Sequence, residues 1–332
     1  MADYNLANLR YAAVKVESTP GTMETPASAD FKYRLRDLEI TPEIEFDDEA
    51  SKVATGDHAE DIAIAGVRAA SLSFYVKGAW GGAVNTAPNW WDLAKMCGAG
   101  EIAYGSTGVA LVGRKAYDKV THTIWVVDVE RKASGAVHTA YQFAGCMGNM
   151  LLLAEGIGKP WLARFNIRGK FIDVDEISAL DMTSPDTTKP EVALNNTFTI
   201  GGNTRCISQF QFDTGNDVQP VYCTGEETGI SHFGIVSRRP RFSCNPLSTK
   251  QSDYDVFDDV INETTQVVSN ASTNFTLKIL KAQTMNPALA AREGLVNWNL
   301  NLRALKNGTT GSLVDSDLTP EDTWELLQGS RT

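Results

Sequence analysis

Short alternations of apolar and polar residues run through most of the chain. They are rich in β-branched and aromatic side chains, the pattern of half-buried strands. In the first half they occupy Leu35–Phe46, Ala70–Lys77, Thr121–Val129, Thr139–Ala144 and Trp161–Val174. In the second half they occupy Thr197–Ile200, Ile207–Asp213, Phe233–Val236, Arg241–Cys244, Phe275–Leu280 and Leu295–Leu305. Clusters of Asn, Gly, Asp and Thr separate them, as turns require. From Ala163 to Phe171 the chain reads Ala-Arg-Phe-Asn-Ile-Arg-Gly-Lys-Phe, with one apolar and one polar face. Helical periodicity is scarce. One short helix is expected after Pro88, capped by Asn89, with Asp92 in the capping-box position and Gly98 stopping it. A second is expected from Ser252, with Asp255 three residues on and Tyr254, Val256, Phe257, Val260 and Ile261 as apolar positions. A third is expected over Thr319–Leu327, with Pro320 in its first turn. The predicted class is mainly β.

Residues 1–30 and 306–332 show little periodicity and read as arms that a partner orders. The Pro-, Asp- and Thr-rich stretch 176–196 reads as a linker, which leaves domains over 31–175 and 197–305. The two domains repeat each other. Val53-Ala54-Thr55-Gly56 matches Tyr222-Cys223-Thr224-Gly225, and Arg68–Ser73 matches Arg238–Ser243. The helix starts at Asn89 and Ser252 correspond. Ala144–Met147 matches Ala282–Met285, Glu155-Gly156-Ile157 matches Glu293-Gly294-Leu295, and Phe165–Gly169 matches Leu300–Ala304. The matches fall in order and never cross. Their shrinking separation places extra residues in the first half, at Gly98–Ala116.

Composition narrows the function. The chain has 332 residues, 42% of them hydrophobic, enough for two domains with cores. Its net charge of −11, from 41 acids and 30 bases, argues against a general DNA-binding or anionic-lipid surface. No apolar run approaches the roughly 20 residues that span a bilayer. Met1–Glu17 lacks the basic and apolar pattern of a signal peptide, so the five widely spaced cysteines are expected to be buried or half-buried thiols. The histidines, His58, His122, His138 and His232, have no metal-ligand spacing. No nucleophile elbow, P-loop or dinucleotide motif occurs, and Gly156-Ile157-Gly158-Lys159-Pro160 reads as a tight turn. No cofactor, metal or catalytic residue is expected. Acidic clusters read first as solvated surface, and secondly as walls that repel a passing polyanion.

Three segments resemble the tail tube (major tail) proteins of long-tailed bacteriophages. Tyr11-Ala-Ala-Val-Lys-Val-Glu-Ser-Thr-Pro-Gly-Thr-Met-Glu-Thr-Pro26 is similar to the opening of that family. Ala87-Pro88-Asn89-Trp90-Trp91-Asp92-Leu93-Ala94-Lys95-Met96-Cys97-Gly98 resembles its Ala-Pro-x-Trp-x-x-Leu-x-x-x-x-Gly helix, and Phe143–Asn149 its Gly-rich strand start. The resemblance covers most of residues 10–175, and the repeat extends it to about 305. It implies β-sandwich or barrel domains, each flanked by a short helix, closing into rings that stack as a hollow tube. It implies a virion location after assembly in the host cytoplasm, no enzyme activity, and DNA passing through the lumen without specific binding. The implied partners are copies of the chain, the tape measure protein, and the tail terminator and baseplate proteins.

Single-domain members form hexameric rings, so the repeat leads us to expect trimers with pseudo-sixfold symmetry, with hexamers as the fallback. Loops of this kind bridge rings in the family. The expected contacts are therefore Asp47, Asp48, Glu49, Asp57, Glu60 and Asp61 in one loop, and Glu226 and Glu227 in its counterpart, Asn216–Gly229. The arm at 1–30 is expected to pack on an adjacent subunit. Two other readings stay open. One is another virion component: a decoration, terminator or baseplate hub protein. The other is a carbohydrate-binding or carbohydrate-active β-sandwich, using Trp90, Trp91, Trp125 or Trp161 as a sugar platform.

Overall fold

The computed structural model describes residues 5–47, 64–79, 88–103, 109–113, 120–130, 137–177, 189–249, 255–272, 275–292, 294–305 and 324–328. Among these the chain is mainly β. The first half runs β1 (Asn5–Val16), β2 (Tyr33–Arg34), β3 (Arg36–Asp47), β4 (Ile64–Lys77), α1 (Trp91–Met96), β5 (Ala99–Ala103), β6 (Val109–Gly113), β7 (His122–Glu130), β8 (His138–Ala154) and β9 (Leu162–Ile177). The second runs β10 (Thr197–Ile200), β11 (Asn203–Arg205), β12 (Phe210–Asp213), β13 (Asn216–Tyr222), β14 (Ile230–Arg238), β15 (Arg241–Cys244), α2 (Val256–Ile261), β16 (Thr265–Ala271), β17 (Phe275–Arg292), β18 (Leu295–Ala304) and β19 (Trp324–Gln328). All strand pairs are antiparallel. Seventeen strands join in one hydrogen-bonded sheet, and β13 and β14 form a separate hairpin.

The order of pairing is the same in both halves. The first half reads β1–β7–β8–β9–β4–β3, with β2 returning on β1. The second reads β10–β16–β17–β18–β15–β12, with β11 returning on β10. Registers agree as well. Leu72 of β4 faces Ile167 and Ile40, as Phe242 of β15 faces Leu302 and Phe212. Farther out, β3 and β4 continue as one hairpin, with Ile44 opposite Arg68 and Asp47 opposite Ile64. The second half gives the same run to β13 and β14, with Asn216 opposite Arg238 and Gln219 opposite Gly234. Helix α1 follows β4, and α2 follows β15. The β5–β6 hairpin, which has no second-half counterpart among the described residues, occupies the stretch where extra residues were expected.

Two strands carry the sheet from one half to the other: β19, between β6 and β17, and β8. The first part of β8 lies between β7 and β9, and its last four residues, Leu151–Ala154, take β12 as their neighbour instead of β7. One buried cluster accordingly contains Phe74, Phe143 and Phe165 from the first half and Phe198, Phe212 and Phe242 from the second. Trp161 meets Phe210 edge-on across the boundary, with ring centroids 4.4 Å apart. Burial of such side chains stabilises by about 1.5–3 kcal/mol each.

Several expectations need correction. Residues 5–16 do not form a free arm but pair with β7 inside the sheet. Ala12 and Val14 join the main core while Tyr11 and Ala13 join a second cluster, so both faces are buried and the polar alternation disappears. The C-terminal helix is a strand. β19 is inserted between β17 and β6, with Trp324 and Leu326 buried on a period of two, and its neighbours satisfy its backbone where a helix would satisfy itself. Asn89 does not cap α1. The cap is Trp90, without a side-chain hydrogen bond, and the Trp90 indole donates to the Ala79 carbonyl at 3.0 Å. Helix α2 begins later than expected and is capped by Asp255, whose carboxylate accepts from the Phe257 and Asp258 amides. Ser252, the expected cap, lies outside the described residues.

Candidate functional site

Of the expected contact residues, Asp47, Glu226 and Glu227 are described, and they fall at the ends of the two equivalent hairpins. Asp47 ends β3, paired with Ile64. Asp48, Glu49, Asp57, Glu60 and Asp61 lie outside the described residues. Glu226 and Glu227 sit in the turn that joins β13 to β14. This turn is closed by bonds from the Glu226 amide to the Cys223 carbonyl and from the Gly229 amide to the Glu226 carbonyl. Gly229 has φ +72, and a Cβ there would stand 3.2 Å from the Val67 side chain.

The second hairpin does not project from the chain. It lies across the first half, with Ile230, Phe233 and Ile235 packed on Ala69 and Met147. Both glutamates are exposed, and each meets a cation of the first half. Lys170 of β9, only 6% exposed, donates to Glu226 at 3.0 Å. Arg68 of β4 donates to the Glu227 carboxylate at 2.9 Å and to its carbonyl at 3.1 Å, while the Arg68 amide donates to the Thr228 carbonyl. Arg168 of β9 gathers three strands: it donates to Glu43 of β3 and to the Val218 carbonyl of β13, and it lies 5.1 Å from the Phe233 ring of β14. The charge pairs therefore fix one half on the other. A pair as exposed as Arg68–Glu227 adds about 0–1 kcal/mol. The Lys170 ammonium is worth more, because removing its partner leaves a buried cation unpaired.

Polar side chains complete the boundary. The Asn149 amide donates to Asp213 at 2.7 Å, the Thr214 hydroxyl donates to the Asn149 oxygen at 2.7 Å, and Asn216 donates to the Cys97 and Gly148 carbonyls. Beneath them, Glu17 is a buried carboxylate with four donors: the Gly21 and Gly145 amides and the Thr121 and Thr123 hydroxyls. Gly21 and Gly145 are both in the left-handed region, and a Cβ on either would strike the backbone of Ser231 or His232 in β14. The turn after β1 is thus clamped between β8 and the hairpin of the other half. Glu17 escaped the sequence reading. Its one signal was the run Glu-Ser-Thr-Pro-Gly-Thr, which marks a turn but not its partners.

A cleft of about 640 Å³ opens beside β3, lined by Arg10, Lys32, Arg36, Leu38, Lys77 and Trp90 among others. Two of its cations are engaged: Arg10 pairs with Asp128 at 2.7 Å and Lys32 with Asp92 at 3.0 Å. Burial pushes the Asp92 carboxyl up, but hydrogen bonding and charge from Lys32, and then Lys95, hold it below its ordinary value. Burial, then the Asp92 charge, raises the Tyr33 phenol well above its ordinary value.

Trp90, Trp91, Trp125 and Trp161 are buried in the core and form no exposed platform for a sugar. Among the described residues no group of three or more metal-ligating side chains occurs, and no helix is long and apolar enough to cross a membrane. Neither known protein-family models nor curated proteins gave a match to this chain.

Proposed function

We propose that the chain is a structural subunit of a long-tailed bacteriophage tail tube, built from two copies of one tube-type β domain. The observation that carries this reading is the repeated pairing order, β1–β7–β8–β9–β4–β3 and β10–β16–β17–β18–β15–β12, with a helix after the fifth strand of each set. It supports the duplication, and the resemblance over residues 10–175 gives the duplicated unit a role. Three such chains make a ring of six similar domains, and rings stack into a hollow tube. The net charge of −11 suits a conduit that repels DNA instead of holding it. The tape measure protein fills the lumen during assembly, and terminator and baseplate proteins cap the ends. In this reading the Asp47–Asp61 loop reaches a neighbouring subunit, and the chain carries out no catalysis.

The test is expression of the chain alone, followed by negative-stain electron microscopy and mass measurement of the soluble fraction. Stacked rings or hollow tubes, with a trimer as the smallest closed unit, are expected. Hexameric rings would keep the tube and remove the pseudo-sixfold arrangement. A strict monomer at high concentration would overturn both.

A further inference from the structure

The boundary between the halves shows how one copy of the repeated unit holds another. Leu152 of β8 faces Phe212 of β12, and both are fully buried. The same two positions recur at the outer margins of the chain. Leu152 also faces Ala163 of β9, four residues before Ile167, and Leu289 of β17 faces Trp298 of β18, four residues before Leu302. Leu289 is therefore the counterpart of Leu152. Ile40 faces Leu72 as Phe212 faces Phe242, so Ile40 is the counterpart of Phe212.

Both counterparts lack the neighbour that the boundary supplies. β16 covers β17 only as far as Gln283, so among the described residues the flank of β17 from Thr284 onward has no strand beside it. Among the described residues β3 is paired on one side, with β4. Leu289 is 57% exposed and lies on the face that carries Trp298 towards the core, while Ile40 packs at the margin of that same core. Leu295 and Val296, next to Leu289 at the end of the β17–β18 hairpin, are exposed too. Exposed apolar side chains grouped beside an unpaired sheet edge mark an association surface.

We infer that the distal part of β17 in one copy pairs with the outer edge of β3 in a second copy of this chain, with Leu289 opposite Ile40. The inference rests on the duplication proposed above and deepens that reading by naming the joint. Pairing covers Ala288–Ala291 against Leu38–Thr41. Pro42 and Pro287 flank this stretch and have no amide to donate, which stops the ladder there and restricts the edges to one register. The cleft beside Leu38, with Leu35, Val76 and Trp90 in its wall, receives the exposed end of the β17–β18 hairpin, as Phe210 receives Trp161 within the chain. Each copy offers one edge of each kind. The contact is head-to-tail, so it closes into a ring or continues as a filament.

The test uses the full chain. Cys206 and Cys223, the exposed thiols, are changed to Ser, and then Ile40→Cys and Leu289→Cys are introduced together and singly. Directly opposed antiparallel residues lie within disulfide reach. Mild oxidation should give covalent multimers from the double variant, reversed by reductant, and none from either single variant. In addition, Leu289→Lys should melt like the parent and raise the concentration at which the oligomer dissociates by roughly tenfold or more, since a charge would be buried at the joint. Oligomers in which the double variant forms no disulfide, or that tolerate Leu289→Lys, would overturn the joint and leave the tube reading standing. Cross-linked rings that never stack would keep the joint and remove the tube. A strict monomer would overturn both.

Discussion

Helices α1 and α2 stand at the same place in their halves and are six residues each, yet they are held by different forces. A helix of this length has no stability of its own in water. α1 buries Trp91, Leu93, Ala94 and Met96 against β1, β5 and β8, and its cap contributes no side-chain hydrogen bond. α2 buries only Val256, packs on β17, sets Phe257 edge-on to Trp298, and relies on the Asp255 cap. Phe257 and Ile261 remain largely exposed. Equivalent topology thus does not bring equivalent cover: the first half has the inserted β5–β6 hairpin and the other half's β14 packed on it, and among the described residues the second half has no such cover.

This contrast can be broken first where the halves meet. Phe212→Ala removes a ring shared by both cores and should destabilise the whole chain by about 3–5 kcal/mol, read as a fall in the denaturant midpoint. A loss confined to the second half would break the picture of one joint core. Next, Leu93→Ala should cost about 2–5 kcal/mol, whereas Ile261→Ala on α2 should stay within about 0.5 kcal/mol. Equal losses would mean that α2 is covered in solution.

A third difference is acid sensitivity. His122 of β7 is buried, and burial lowers its pKa from 6.5 to about 4, whereas β16 has no ionisable side chain. The native state keeps this imidazole neutral while the unfolded chain protonates it. Stability is therefore unaffected above pH 6.5 and is lost as the pH falls towards 4, by about 3 kcal/mol at most. The denaturant midpoint of His122→Phe should be flatter over that window than the parent's. A modest loss, about 1 kcal/mol, is expected from Asp255→Ala, seen as faster amide exchange at Phe257 and Asp258.

The strands with a clean alternation were legible: β9, β12, β15 and β18 lie close to where the pattern puts them. The unread parts share a physical cause. β1 is buried on both faces and shows no alternation. β8 and β17 are longer than expected, and each runs through a bulge where Gly145 or Asn286 has positive φ and the register shifts. Trp324–Gln328 is too short for its period to decide between helix and strand, and neighbours far away in sequence decide it. The acidic turn at Glu226 was visible, but its partners Lys170 and Arg68 come from strands of the other half, which no local pattern reveals.

β8 supplies a rung to both halves, so a cut in the backbone between β9 and β10 need not separate them. Two polypeptides meeting at that point, produced together, should reassemble through the Leu151–Ala154 and Phe210–Asp213 ladder. Produced separately, each would display a raw apolar seam, Leu152 on one piece and Phe212 on the other, and precipitate. The boundary in the gene and the boundary in the folded molecule are then different lines, and a split reporter built on this chain should respect the second.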